Sequence, residues 1–272
     1  MGGPTSSEPA VPAVAAMAAT EVLVRDGPQG LETLMVVRHH EIDFARGAAV
    51  FPGGKISASD TDPRIAGRAR GGPLPGEPQF ALRVAAVRET FEESGLLLAR
   101  HGGAMVDGTR RAALHQRWQE RVAAGGNAFV DMVCEEDLEL ALEQLVPYAH
   151  WVTPEVSPKR FDTHFFIAAA PAGQVAQHDG SEAVDSFWIR PADALDECAQ
   201  RRRTIIYPTL CNLALLAHTG DVAGAVQAAR SRPLRRIQPT LGKRADGKLI
   251  PVLAPDCGYP ELSPDLMNLV AR

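Results

Sequence analysis

Three glutamates, Glu89, Glu92 and Glu93, stand at i, i+3 and i+4 in the stretch Arg88-Glu89-Thr90-Phe91-Glu92-Glu93-Ser94-Gly95-Leu96. At about 100° per residue, a helix gathers these three carboxylates within roughly 100° of arc. Like charges at this spacing destabilise a helix by roughly a few tenths of a kcal/mol per pair. Two arrangements relieve the repulsion. A divalent cation such as Mg²⁺ takes carboxylate oxygens as ligands. Otherwise the face is solvated, with Arg88 paired to Glu92 one turn on. A cation held there would neutralise anionic oxygens of a substrate and lower the pKa of a bound water, which is metal-assisted hydrolysis.

The glutamates need a helix to hold them, and Glu77 to Ser94 reads as the clearest one in the chain. Pro78 suits its first turn and Gly95 its C′ position. Phe80, Val84, Val87 and Phe91 fall within about 60° of one another, opposite the glutamates, and form the expected buried stripe. Upstream, residues 20–25 and 31–38 read as a β-hairpin around Asp26-Gly27-Pro28-Gln29-Gly30. Residues 50–54 read as a strand end and a turn. Residues 57–76 are rich in Gly, Pro, Asp and Arg and read as a long loop that builds no core.

Downstream, residues 109–146 predict two or three helices anchored by Trp118, Val122, Phe129 and Leu138. Strands are expected at 150–153, 161–169 and 183–189, and helices at 191–200, 210–218 and 222–229. Two strand-like pieces follow around Ile237 and Leu249. This order predicts an α/β (α+β) fold, a mixed β-sheet with helices on both faces. Residues 1–17, rich in Ala and Pro, read as a disordered leader. No internal repeat is seen.

The 272 residues suit one large domain or two small ones. Twenty-eight Lys and Arg against 33 Asp and Glu give a net charge of −5, which argues against nucleic acid or an anionic membrane as partner. The runs Arg201-Arg202-Arg203 and Arg235-Arg236 are too sparse to reverse that. The four cysteines form no CxxC pair, so a reducing, cytoplasmic setting is expected. No His or Cys pair has zinc spacing along the chain. No apolar run reaches the ~20 residues that span a bilayer.

The stretch from Arg88 to Leu96, with Gly53-Gly54 upstream, resembles the Nudix box, the signature of hydrolases acting on nucleoside diphosphates linked to another group. Thr90 stands where the box has its first aliphatic residue. The first half of the box departs from the family. Counting from Gly54, the family spacing puts Arg-Glu at 68 and 69, yet it stands at 88 and 89, so about 20 residues are inserted. The box's first Glu falls on Asp60 counting forward and on Phe80 counting back. Glu77 and Asp60 are both candidates to replace it.

An insertion at this point is typical of the Nudix subgroup of coenzyme A diphosphatases. The segments around Trp118 to Val122, Trp151 to Pro154, Lys159 to Phe166 and Arg244 to Leu253 resemble that subgroup as well. So does Gly47 to Gly54, which ends in Phe-Pro-Gly-Gly. The resemblance implies a Nudix fold over residues 18–200, with the insertion at 57–76 and a C-terminal helical extension over 201–272. That extension would pack on the core, and its last 40 residues would cover the core or form a homodimer contact.

It also implies Mg²⁺ or Mn²⁺ held by Glu89, Glu92 and Glu93, with the Gly54 carbonyl as a further ligand. Glu89 would be catalytic, oriented by Arg88. Glu182, on the loop before a late strand, would complete the metal shell or act as general base. Asp179 and Asp185 are its weaker neighbours. Arg38, Arg46, Gly53 and Arg160, with His39 and Lys159 beside them, would face the substrate phosphates. Asp162 could be a structural acceptor or a substrate contact, and His164 reads as core.

The implied reaction is hydrolysis of coenzyme A or an acyl derivative to 4′-phosphopantetheine and 3′,5′-ADP. The alternatives are the same chemistry on ADP-ribose or another nucleoside diphosphate derivative, and a non-catalytic ligand sensor of the same fold.

Overall fold

The computed structural model describes residues 13–39, 47–178 and 183–271. The chain opens with a long hairpin, β1 (Ala16–Gly27) and β2 (Gly30–Arg38), followed by two three-residue strands, β3 (Ala48–Val50) and β4 (Gly53–Lys55). A short helix, α1 (Pro63–Ala66), precedes the main helix, α2 (Pro78–Ser94). Next come β5 (Ala99–His101), β6 (Ala104–Met105), α3 (Gly108–Ala123), α4 (Ala128–Glu135) and β7 (Glu139–Leu140). Three longer strands follow: β8 (Val146–Val152), β9 (Phe161–Ala169) and β10 (Ala183–Ile189). Then come α5 (Pro191–Ala199), β11 (Thr204–Ile205), α6 (Tyr207–Leu216) and α7 (Val222–Ser231). The chain ends with β12 (Arg236–Ile237), β13 (Thr240–Lys243), β14 (Leu249–Val252) and α8 (Pro264–Val270).

The main sheet runs β11-β3-β2-β1-β9-β8-β12, with β10 on β2 and β4 on β1. It is mixed: β1 lies parallel to β9 and antiparallel to β2. Side chains alternate across it, as the period of a strand requires. Ala19, Leu23, Leu34, Phe166 and Ala168 pack with α2, α3 and α4 on one face. Val22, Val24, Met35, Phe165 and Ile167 pack with α5, α6, α7 and α8 on the other. Among the described residues no helix is long and apolar enough to cross a membrane.

A fork in the sheet builds the site. β1 and β2 pair only from Val24/Thr33 to the turn. Beyond that point they part, and the chain from Ala48 to Lys55 fills the gap. There β3 pairs with β2, and β4 pairs with β1 through Ala18↔Lys55, Ala19↔Gly54 and Thr20↔Gly53. Glycines 53 and 54 thereby enter a crowded place. A Cβ on Gly53 would strike the Ala19 carbonyl oxygen, and one on Gly54 would overlap the Glu89 carboxylate.

Two expectations change. The sheet begins at Ala16, so two residues assigned to the leader belong to β1. The segment 57–76 is not without structure: it carries a 3₁₀ turn (Ala58–Thr61) and α1. Asp60 and Ile65 within it are fully buried, the latter in the core beside α2. In the tail, the strand pieces expected around Ile237 and Leu249 form as β12 and β14, and β11 adds a strand on β3. The four anchors Trp118, Val122, Phe129 and Leu138 are all buried as expected.

Candidate active site

Helix α2 is enclosed on nearly every side, not only along its apolar stripe. Arg88, Glu89, Thr90 and Glu93 are buried with Phe80, Val84, Val87 and Phe91. The solvated acidic face is therefore not what forms. Gly95 ends the helix in the left-handed conformation, φ 67°, where its N–H donates to the Phe91 carbonyl. A side chain there would be strained and would press on His115.

Arg88 is the hub. Its Nε and Nη2 donate to the two Asp60 oxygens at 2.8 and 2.9 Å. Its Nη1 donates to Glu89 at 2.7 Å and to Glu92 at 3.2 Å, and Nη2 also reaches the Lys55 carbonyl at 2.9 Å. Burial alone would lower the pKa of this guanidinium. The Asp60 hydrogen bond and the Glu89, Asp60 and Glu92 charges outweigh that and raise it. Arg88 is thus a fixed cation with a bidentate carboxylate partner.

Asp60 is the carboxylate that joins the cluster. It also accepts from the Ser57 N–H at 2.7 Å, which closes a capping box around the 3₁₀ turn. Glu77 instead caps the start of α2 and accepts from the Leu74 N–H, while Phe80 sits in the core. Asp60 was one of two open candidates in the sequence, and the inserted segment is what folds it back onto Arg88.

Glu93 receives the Gly53 N–H at 3.0 Å and has the Arg38 guanidinium 3.8 Å away. The N–H of Gly53, one of the expected substrate contacts, thus donates to a carboxylate. Arg38 stands at the rim of the glutamate cluster. Arg160 is drawn elsewhere: its guanidinium donates to the Thr153 and Ala13 carbonyls, holding the start of β1 beside β9. Lys159 is exposed. Arg46, Asp179 and Glu182 lie outside the described residues.

One buried acid escaped the sequence reading. Glu21, on β1, is fully buried beneath α2 and accepts from the Thr90 hydroxyl at 2.6 Å, while its other oxygen has no hydrogen-bond partner. Burial pushes its pKa up to about 8, against a smaller lowering by Thr90. Glu21 is thus held as the neutral acid at pH 7. The signal was present at Thr90, which replaces an aliphatic residue because it faces a carboxyl group.

A second polar group also went unread. His150, Asp162 and His164 meet across β8 and β9. His164 is therefore not a plain core residue, and pairing between strands supplies what spacing along the chain lacked.

The residues present fit a hard cation by their chemistry. Asp60, Glu89, Glu92 and Glu93 bring carboxylate oxygens together around Arg88 and Arg38, at a mostly buried place beside Gly53 and Gly54. Oxygen donors of this kind suit a divalent cation such as Mg²⁺.

The crystal structure of a Nudix hydrolase from Alicyclobacillus acidocaldarius superposes with a TM-score of 0.69 at 30% identity, covering 81% of this chain and 97% of that one. Fold and helix together define a Nudix hydrolase. The family model of the NUDT19 Nudix domain matches residues 64–216, and the chain belongs to that family. It is 27% identical to the acyl-coenzyme A diphosphatase NUDT19 of Xenopus laevis, over 86% of this chain and 73% of that protein. The Homo sapiens protein of the same name is 24% identical, over 89% of this chain and 76% of that one. The protein is accordingly a Nudix pyrophosphohydrolase.

Proposed function

We propose that the protein cleaves the diphosphate of coenzyme A, or of an acyl derivative, to 4′-phosphopantetheine (free or acylated) and 3′,5′-ADP. The likeness to proteins named acyl-coenzyme A diphosphatases over most of the chain supports this substrate. The observation that carries the chemistry is the gathering of the Glu89, Glu92 and Glu93 carboxylates beside Gly53 and Gly54. Glu89, Glu92 and Glu93, with the Gly54 carbonyl, would hold Mg²⁺ or Mn²⁺. When bound, such ions neutralise diphosphate oxygens and acidify an attacking water.

The remaining work falls to the chain itself. Arg88 is a positioning residue: locked by Asp60, it fixes Glu89 at 2.7 Å and so fixes where that carboxylate can accept a proton or hold a ligand. Gly53 does the same for Glu93. Arg38, at the rim 3.8 Å from Glu93, would meet an anionic substrate oxygen. Glu182 would act as the general base.

The test is incubation with coenzyme A and Mg²⁺ or Mn²⁺, with products read by mass spectrometry and Glu93→Gln as control. Both products, lost in the variant, are expected. Cleavage of ADP-ribose or another nucleoside diphosphate derivative, with coenzyme A untouched, would overturn the substrate and keep the chemistry.

A further inference from the structure

His150 and His164 are directly opposed in the β8–β9 register, and Asp162 lies two residues from His164 on the same face. The imidazole rings stack with centroids 4.0 Å apart and planes 23° apart. Both rings turn Nε2 toward one atom, Asp162 Oδ1, at 2.5 Å from His150 and 3.7 Å from His164. One ligand atom from each residue lies within 4.8 Å of the others. All three side chains are about one-fifth exposed. This is an open-sided cluster of two imidazoles and a carboxylate aimed at a single point.

We propose that His150, Asp162 and His164 form a second metal site, separate from the glutamates of α2, for a borderline divalent transition ion of the Zn²⁺ or Co²⁺ kind. Imidazole nitrogen favours such ions, whereas Mg²⁺ and Ca²⁺ prefer oxygen. In a tetrahedral site with arms of about 2.0–2.1 Å, neighbouring ligand atoms stand roughly 3.4 Å apart. The two observed separations, 2.5 and 3.7 Å, bracket that value. Entry of an ion would replace the short His150–Asp162 hydrogen bond and needs only a small outward shift of Asp162. Three protein ligands leave a fourth position facing solvent.

The surroundings agree, because the sheet register places the cluster beside the glutamates. Gly54 pairs with Ala19, Ala19 with His164 and His164 with His150, in one row across four strands. His164 is therefore two strand spacings, about 10 Å, from Gly54. A nitrogen-rich site and an oxygen-rich site would then share one sheet row, and a substrate reaching across the row could meet both ions.

The experiment is titration of the full chain with Co²⁺, followed by its visible absorption, and with Zn²⁺ by calorimetry. The Glu89→Gln/Glu93→Gln double variant removes the oxygen-rich site. One equivalent of Co²⁺ with a nitrogen-ligand spectrum is expected to survive in that double variant. His150→Gln should then weaken it by at least roughly 10- to 100-fold, the loss that even outer partners of a metal site can cause. His150 is at a partly open rim and Gln preserves polarity and length, so a thermal melt of this variant serves as its folding control. Should it fail to fold, Asp162→Asn gives the same reading. Absence of nitrogen-ligated Co²⁺ in the double variant, or equal affinity in the His150 and Asp162 variants, would overturn the second site. Neither result depends on turnover, so this outcome stays distinct from that of the coenzyme A assay.

Discussion

On one side of α2, Asp60, Glu89, Glu92 and Glu93 share the guanidiniums of Arg88 and Arg38. Beneath the same helix, Glu21 is just as buried but meets only the Thr90 hydroxyl. The first group meets guanidiniums and gathers its oxygens at one place. The second has no cation and is pushed to the neutral form. The side-chain chemistry is the same in both places. What differs is the partner, and that difference separates the charged cluster of the proposed site from a hydrogen bond that only packs.

Breaking the cationic side should cost most. Asp60→Ala leaves Arg88 buried with its bidentate partner gone, a loss of about 3–5 kcal/mol of stability. Urea unfolding measures it, and Asp60→Asn should recover part of the loss. An unchanged midpoint for the alanine variant would mean that Arg88 is anchored by the glutamates alone.

Glu89→Gln attacks function instead of stability. Hydrolysis should fall by on the order of 10²–10³, the scale of removing one electrostatic contact to a transition state. Its unfolding free energy, measured without metal, should stay within about 1 kcal/mol of the parent, because Asp60 still holds Arg88. A parallel collapse of stability and activity would show that the site and the scaffold cannot be separated here.

The neutral side is sharpened by pH. The native chain keeps a proton on Glu21 that the unfolded chain releases above its ordinary pKa of 4.5. Unfolding therefore sheds a proton, and this contribution to stability declines as pH rises from 4.5 to about 8, then levels off. The slope approaches ~1.4 kcal/mol per pH unit. Glu21→Gln should remove it, so that the variant gains on the parent as pH climbs through that window. Equal pH profiles from denaturant melts would mean that Glu21 is ionised in the folded chain.

The smallest effect belongs to Thr90→Val. It deletes the one hydrogen bond to a buried carboxyl group and should cost about 1–2 kcal/mol. The cost should shrink when Glu21 is replaced by Leu in the same chain. Strict additivity in that double-mutant cycle would show that the pair is not coupled.

These contrasts also explain what could be read in advance. The α2 helix was legible because its caps and apolar spacing are local, and the long strands because β-rich runs sit between turn residues. The role of Asp60 was not, because it depends on a contact 28 residues away across a segment with little apolar content. Ile65 is the one fully buried hydrophobic side chain in that segment, too little for a periodicity to show. The burial of Arg88 and Glu93 was hidden for a related reason, since a charged residue in a sequence looks solvated until its partners are known. His150 and His164 could not be joined without the register of β8 and β9. Glu21 reads as one polar position in an alternating strand, and only Thr90 hints at it.

The fork in the main sheet has a consequence for how the enzyme comes to exist. β1 must find β9, far along the chain, and must also release β2 to admit β3 and β4. Glu21 and Thr90 meet over a separation of 69 residues. Closing such distant pairs is slow, because chain entropy is surrendered before contacts repay it. The carboxylates of α2 are therefore assembled with the global topology and not before it. A nascent chain that has not yet made β9 lacks the floor on which α2 rests, so hydrolytic competence arrives late and all at once.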